Sequence, residues 1–274
     1  MISRLEYEGI VRAALREDAP FGDPFGSSFS GPARGTFLAG GRGVFCGGMV
    51  AAEVFRQVDP QVSVTFVPEG SRVSRGETVG EAGGAASSLL RGERVALNFL
   101  QRLSGVASTT AAYVERVSPF GTRILDTRKT TPLLRVLEKY AVRTGGGDSH
   151  RFSLSDGVLI KENAIRAAGG IPVAVTAARK MAHHLARVEV EVESLEAAEE
   201  AVAAGADALL LDNMSPETVR EAVQRFGNKV LLEASGGIHL GNVAEYAKTG
   251  VPAISIGALT HSSPALDISF EIEP

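Results

Sequence analysis

The sequence predicts an α/β chain in two parts, a small α+β unit followed by a parallel-strand barrel. Three observations carry this. The first ninety or so residues mix short apolar runs with glycine-rich turns, and a long helical pattern begins near Ser87. Beyond it, six short apolar strands recur, each ending in a polar tip, with helical segments between several of them. A chain of 274 residues is long enough to bury a large core in one or two domains.

Taken in order, Ser3 with Glu6 makes a capping box, and Leu5, Val11 and Leu15 mark a helix that stops before the loop "APFGDPFGSSFSGP". "GTFLAGGRGVFCGG" reads as two short strands around glycines, "MVAAEVFRQVD" as a helix, and Val62, Val64 and Phe66 alternate as in a strand. Leu89, Ala96, Phe99, Leu100 and Leu103 fall at helical spacing, so "SSLLRGERVALNFLQRLSG" is a helix that could connect two domains. The six later strands are "TRILDT", "GVLIKEN", "ARVEVEVES", "ADALLLDN", "KVLLEASGG" and "PAISIGALT". Between the first two, Thr131 can cap a helix with Pro132 in its first turn, and Gly145 can end it in the left-handed conformation. Strands alternating with helices imply parallel pairing through right-handed crossovers, open and doubly wound or closed into a barrel; the barrel is preferred.

A formal net charge of -4 and a pI near 5.8 argue against a general nucleic-acid or membrane binder. The single cysteine, Cys46, has no intrachain partner and sits in apolar surroundings, as a buried thiol does; a reducing compartment and a cytoplasmic location are expected. No apolar run approaches the length of a membrane span. No nucleophile elbow, Walker loop, zinc-type Cys/His spacing or dinucleotide fingerprint occurs.

A barrel places chemistry at the carboxyl ends of its strands. Here those ends hold Arg128 and Lys129, Lys161, Glu191 and Glu193, Asp212, Ser235, and Gly257. Arg128 and Lys129 lie between a strand end and a helix start, a setting that favours anions. His150, Arg151 and Lys161 could converge on the same mouth. Arg135, Lys139 and Arg143 recur every four residues, the pattern of a solvated helix face, and are set aside. In "VEVEVES" the valines suit a core, while Glu191 and Glu193, with Asp212, could offer Mg²⁺ a few direct oxygen ligands and leave the rest of its octahedron to water and a phosphate. The glycines of "EASGGIHLGN" and "SIGALTHS" follow the last two strands, where barrels bind phosphate, with His261 close by in sequence. His183 and His184 read as mid-helix surface residues.

Together, "ERVALNFLQRLSGVAST", "LDTRKTTPLLRVLEKYAVRTGGGDSHR", "LIKEN", "VEVEVES", "LLLDN" and "EASGGI" resemble the quinolinate phosphoribosyltransferase family, in the same order over most of residues 90–270. The resemblance implies an N-terminal α/β sandwich, residues 1–105 joined by the tail 265–274, and an incomplete α/β barrel over 106–264. It implies a homodimer with shared active sites, and it admits a hexamer of dimers. The implied reaction joins quinolinate to 5-phosphoribosyl pyrophosphate with Mg²⁺, giving nicotinate mononucleotide, pyrophosphate and CO₂. By resemblance Arg128, His150, Arg151 and Lys161 form the dicarboxylate pocket, and Arg94 reaches in from the partner chain. Lys129 meets the phosphoribosyl donor, and Glu191 and Asp212 attend the ribose and metal. Ser235, Gly236, Gly237 and Gly257 form the 5′-phosphate loops, with His261 beside them. Lys129, Lys161, Glu191 and Asp212 are the implied catalytic set. The sequence departs from the family pattern at Ser149, where Asn is frequent, at Ala164, where His is frequent, and in "EDAPFGDPFGSS".

Three alternatives accompany this expectation. A related phosphoribosyltransferase or the family's molybdenum-associated paralogue would have a remodelled pyridine pocket. A barrel lyase would use Lys161 as a Schiff-base nucleophile. A ligand-binding homologue would bind quinolinate without releasing pyrophosphate.

Overall fold

The structure is a computed structural model in which residues 2–29 and 31–273 are described; the loop expected at Ser30 lies outside them. The chain divides into two compact units. The first comprises Met1–Ala111, Thr130–Gly146 and Leu259–Pro274, and the second Ala112–Lys129 and Gly147–Ala258.

In the first unit, Ser3 and Glu6 make the reciprocal capping box at a short 3₁₀ turn, which leads into α1 (Glu8–Asp18). A four-stranded antiparallel sheet runs in the order β12, β1, β5, β3, formed by Ile268–Glu273, Pro32–Ala39, Thr78–Ala85 and Ser63–Phe66. β2 (Gly43–Val44) pairs with β4 (Arg72–Val73). α2 (Gly48–Val58) buries Val50, Val54 and Phe55. Phe55 joins the core cluster around Phe37, whose ring lies 4.4 Å from Phe270 and 5.1 Å from Phe66, centroid to centroid. Each such aromatic pair contributes about 0.5–1.5 kcal/mol beyond area burial. Glycine is required at Gly35 because any Cβ there would strike the Phe270 ring.

α3 (Ala86–Val117) outruns the expected helix by twelve residues. α4 (Arg135–Thr144) departs from expectation in two ways. It begins after Leu134, because Thr131 is engaged elsewhere: its N–H and hydroxyl both donate to Glu138, at 2.9 and 2.7 Å. Gly145 has φ −77°, and the left-handed residue is Gly146, at φ 89°. The face carrying Arg135, Lys139 and Arg143 is also not a solvated stripe. Arg143 is exposed, but Lys139 is fully buried beside fully buried Glu138. Charge spacing alone could not register that α4 buries a run from Leu137 to Val142.

The second unit is an open α/β barrel. Its six parallel strands run in the order β6, β11, β10, β9, β8, β7. They are β6 (Arg123–Leu125), β7 (Val158–Ile160), β8 (Val188–Val192), β9 (Ala208–Asp212), β10 (Leu231–Ser235) and β11 (Ala253–Ser255). The last strand pairs back onto the first, whereas β6 and β7 share no ladder, so the barrel is open between its first two strands. α5 (Glu162–Ala168) and α6 (Ile171–Met181) follow β7; α7 (Leu195–Ala203), α8 (Pro216–Phe226) and α9 (Val243–Ala247) follow β8, β9 and β10. α10 (Ala258–His261) follows β11.

β8 shows why this sequence makes a barrel. Val188, Val190 and Val192 are buried, while Glu189 and Glu191, on the other face, share their register layers with inward residues of β9 and β10. Burying each valine contributes roughly 1.5–3 kcal/mol. His183 and His184 are exposed as expected but lie beyond the end of α6, not within it. Cys46 is fully buried, and burial raises its thiol pKa well above the ordinary value. Among the described residues, no helix is long and apolar enough to cross a membrane.

Candidate active site

A cavity of about 210 Å³ opens at the carboxyl ends of the barrel strands. It gathers eight of the residues singled out from sequence: Arg128, Lys129, His150, Arg151, Lys161, Glu191, Asp212 and Ser235. Each arrives at the end of, or just after, a strand, except His150 and Arg151. Those two come from a segment that runs beside β6 and fills part of the barrel's gap. Asp148 N–H donates to Ile124 O at 2.8 Å, and Asp126 N–H to Asp148 O at 3.1 Å. Fully buried Asp126 then fixes the segment, accepting from His150 N–H at 2.9 Å and from the Ser149 hydroxyl at 3.1 Å.

The positive charge is crowded. Arg151 donates from Nη1 to Gly157 O at 2.9 Å, and its pKa is lowered by burial first and then by the neighbouring Arg128 charge. Arg128 Nε is buried with no hydrogen-bond partner among the described residues. A half-buried guanidinium with an unmet donor, next to a second guanidinium, favours a planar dianion. Across the cavity Lys161 ion-pairs with Glu191. Its side chain is 54% exposed, so it lacks the desolvated setting in which a Schiff-base lysine works.

Behind this wall lies an acid pair that sequence reasoning missed. Glu189 accepts from His150 Nε2 at 3.0 Å, and Glu233 Oε1 lies 3.7 Å from the same nitrogen. The Glu233 pKa is pushed up to about 7 by burial and by the Glu189 charge, against the pull of His150 and a Ser255 hydrogen bond. Burial alone would lower the His150 pKa, but the two glutamates raise it overall. The alternation of "VEVEV" carried a signal for Glu189; Glu233, inside an apolar strand, carried none.

His150, Glu189 and Glu233 bring candidate ligand atoms within 4.8 Å of one another. The ring's hydrogen bonds oppose a metal there. Nδ1 accepts the Arg151 N–H at 2.7 Å, so the neutral ring carries its proton on Nε2, where a metal would need the lone pair. Glu191 and Asp212 are the better oxygen donors. Both line the main cavity and leave most of a coordination shell to water and phosphate, which suits Mg²⁺. Glu193 is exposed and lines no part of that cavity.

After β10, Gly236 and Gly237 have φ of 85° and 63°, and Asn213, after β9, has φ 55°. Asn213 N–H donates to Ser235 O at 3.0 Å, and a Cβ at Gly236 would collide with Asn213, so these two tips are locked together. Gly257 follows β11, whose Ser255 lines the cavity. Arg94 and His261 are exposed residues of the first unit and are not brought into this cavity.

Comparisons with known proteins place the chain in a family. The family profile described as quinolinate phosphoribosyl transferase, C-terminal domain, matches residues 106–271, and its N-terminal counterpart matches residues 28–104. The chain is similar to a probable nicotinate-nucleotide pyrophosphorylase [carboxylating] of Bacillus subtilis, 42% identical and covering 99% of this chain and 95% of that one. It is also similar to the human nicotinate-nucleotide pyrophosphorylase [carboxylating], 42% identical over 96% of this chain and 90% of that one. Among solved structures, the nicotinate-nucleotide pyrophosphorylase from Francisella tularensis superposes with a TM-score of 0.96 at 39% identity, covering 100% of this chain and 98% of that one. With both halves matched in order across nearly its whole length, the chain belongs to the quinolinate phosphoribosyltransferase family.

Proposed function

We infer that this chain is a carboxylating nicotinate-nucleotide pyrophosphorylase. It transfers the phosphoribosyl group of 5-phosphoribosyl pyrophosphate to quinolinate and releases pyrophosphate and CO₂ in NAD biosynthesis. The observation that carries this, beside family membership, is the crowding of Arg128, Arg151 and Lys161 around one small cavity with acids on its far wall.

The division of labour follows from charge. Arg128 and Arg151 suit the planar carboxylates of the pyridine diacid, and Lys161 adds a compact charge beside them. Lys129 faces the phosphoribosyl donor, and the loops at Ser235, Gly236, Gly237 and Gly257 receive its 5′-phosphate through backbone N–H groups, with His261 near them in the chain. As pyrophosphate leaves, the ribose carbon takes on oxocarbenium character, which the fixed carboxylates of Glu191 and Asp212 stabilise. Mg²⁺ held by those two residues would supply charge compensation for the departing pyrophosphate. Loss of CO₂ then leaves the electron pair on the ring carbon beside the glycosylated, positively charged nitrogen, which stabilises it as an ylide until that carbon takes a proton from water, so decarboxylation needs no general base. A cytoplasmic homodimer in which Arg94 of one copy completes the site of the other belongs to this proposal.

The test is direct. Protein incubated with quinolinate, 5-phosphoribosyl pyrophosphate and Mg²⁺ forms nicotinate mononucleotide, and removing the metal with EDTA stops it. A folded protein with no turnover across metals and pH would overturn the assignment.

A further inference from the structure

The loop after β10 ends in an asparagine that does not do what its position invites. Asn242 is the N-cap of α9, where an Asn side chain ordinarily accepts a hydrogen bond from the first turn of its own helix, yet no such bond forms. The side chain reaches back along the chain instead. Its Oδ1 accepts the His239 N–H at 2.7 Å, and its Nδ2 donates to Gly237 O at 3.1 Å. At the other end of the loop the Asn213 N–H donates to Ser235 O at 3.0 Å. Two carbonyls of the loop are pinned in this way, one from the tip of β9 and one from the start of α9.

A trans peptide unit is planar, so its C=O and N–H point in opposite directions. Pinning Ser235 O therefore fixes the direction of the Gly236 N–H, and pinning Gly237 O fixes that of the Ile238 N–H. Among the described residues the N–H groups of Gly236, Gly237 and Ile238 meet no acceptor. Successive N–H groups in a turn make a concavity suited to an anion. Two consecutive glycines are also the easiest place for peptide planes to rotate, and ordering them on binding would draw on the affinity for the anion.

We propose that Asn242 is a positioning residue for the phosphoribosyl donor: its side chain gives up capping α9 to clasp Gly237 O, and so holds the loop's N–H groups in the direction the 5′-phosphate needs. The proposal rests on the reading of this loop as the 5′-phosphate site, so its test includes a measurement without turnover.

Asn242→Ser separates clasp from cap. Serine caps a helix about as well as asparagine, but its shorter side chain does not reach Gly237 O. The variant keeps its Tm within about 2 °C of wild type. Its KM for 5-phosphoribosyl pyrophosphate rises roughly five- to tenfold, the worth of one hydrogen bond, and its KM for quinolinate stays within about twofold. Calorimetric titration with ribose 5-phosphate, without metal or quinolinate and well below the variant's Tm, shows the same factor in Kd. Unchanged Kd and KM would overturn the proposal, and a rise in both KM values would make Asn242 merely structural and overturn it equally. Wild-type protein that binds ribose 5-phosphate but turns over no quinolinate would instead remove the functional assignment and leave the titration to decide the clasp.

Discussion

Replacing Glu233 with Gln isolates an electrostatic strain in the barrel interior. Glu233 is 7% exposed, its Oε1 has no hydrogen-bond partner among the described residues, and Glu189 adds a like charge. Its carboxyl binds a proton up to about pH 7 when folded, against an ordinary value of 4.5. Between those limits the folded state keeps a proton that the unfolded state has released, so stability falls as pH rises through the window. At 1.36 kcal/mol per pH unit, the gap corresponds to about 3 kcal/mol, fully expressed above pH 7. The raised His150 pKa acts in the same direction: the stability it contributes is present below its ordinary value and lost as pH climbs through the folded one. Gln has nearly the shape of Glu, still accepts from Ser255, and offers Glu189 a donor in place of a like charge. Urea unfolding of wild type and Glu233→Gln at intervals from about pH 4.5 to 8 should therefore give curves that meet at the acid end. They diverge to about 3 kcal/mol in favour of the variant at the alkaline end. Parallel curves, with a constant difference across the window, would show that Glu233 ionises freely and that the burial argument is wrong.

Two further outcomes are expected. Glu138→Ala removes the acceptor for the Thr131 N–H and hydroxyl and for the Arg102 guanidinium, which approaches Glu138 to 2.6 Å. Arg102 is 26% exposed and keeps its carbonyl partners Ser263 and Thr260, so the loss is about 3 kcal/mol, the low end for a broken buried pair. By calorimetry Tm drops by roughly 6–12 °C, and a shift below about 2 °C would refute the network's importance. The second outcome concerns the proposed dimer. Arg94→Ala and Lys161→Ala proteins are each inactive alone, yet mixing them under conditions of demonstrated subunit exchange restores part of the activity; no recovery would remove the shared-site proposal.

The barrel was legible because its strands are written in two plain scripts: buried runs such as "ALLLD", and the valine–glutamate alternation of β8. The antiparallel sheet was less so. β5 reads "TVGEAGGA", a composition that signals turns, and it is a strand because glycine leaves room for what lies across it. A Cβ at Gly80 would meet the Phe66 ring, so the residue that weakens the local strand signal is the one the aromatic core demands. The extension of α3 through "VASTTAAYVERV" was missed for a related reason. Its Ser and Thr residues suggest a cap or turn, but Thr110 bonds back to Val106 O at 2.8 Å and stays within the helix.

In the site, the strand-tip cations could be named from position and residue type alone. The acids that organise them could not, because Asp126, Glu189 and Glu233 act on a histidine 24, 39 and 83 positions away in the chain. That distinction has a physical basis. A binding cation must be near solvent at an element's end, where sequence grammar is clear. The residue that holds it must be buried, where a carboxylate is disfavoured on composition and only three-dimensional pairing makes it tolerable. The crowding of Arg128 and Arg151 follows the same logic. Two half-buried guanidiniums repel and would turn outward if held by side-chain contacts alone. Here Arg151 is tied through its backbone to His150, and His150 through its own backbone to Asp126 and through its ring to Glu189. The scaffold thus keeps positive charge in place before any anion arrives, and a dianion entering the cavity relieves a repulsion that folding has already established.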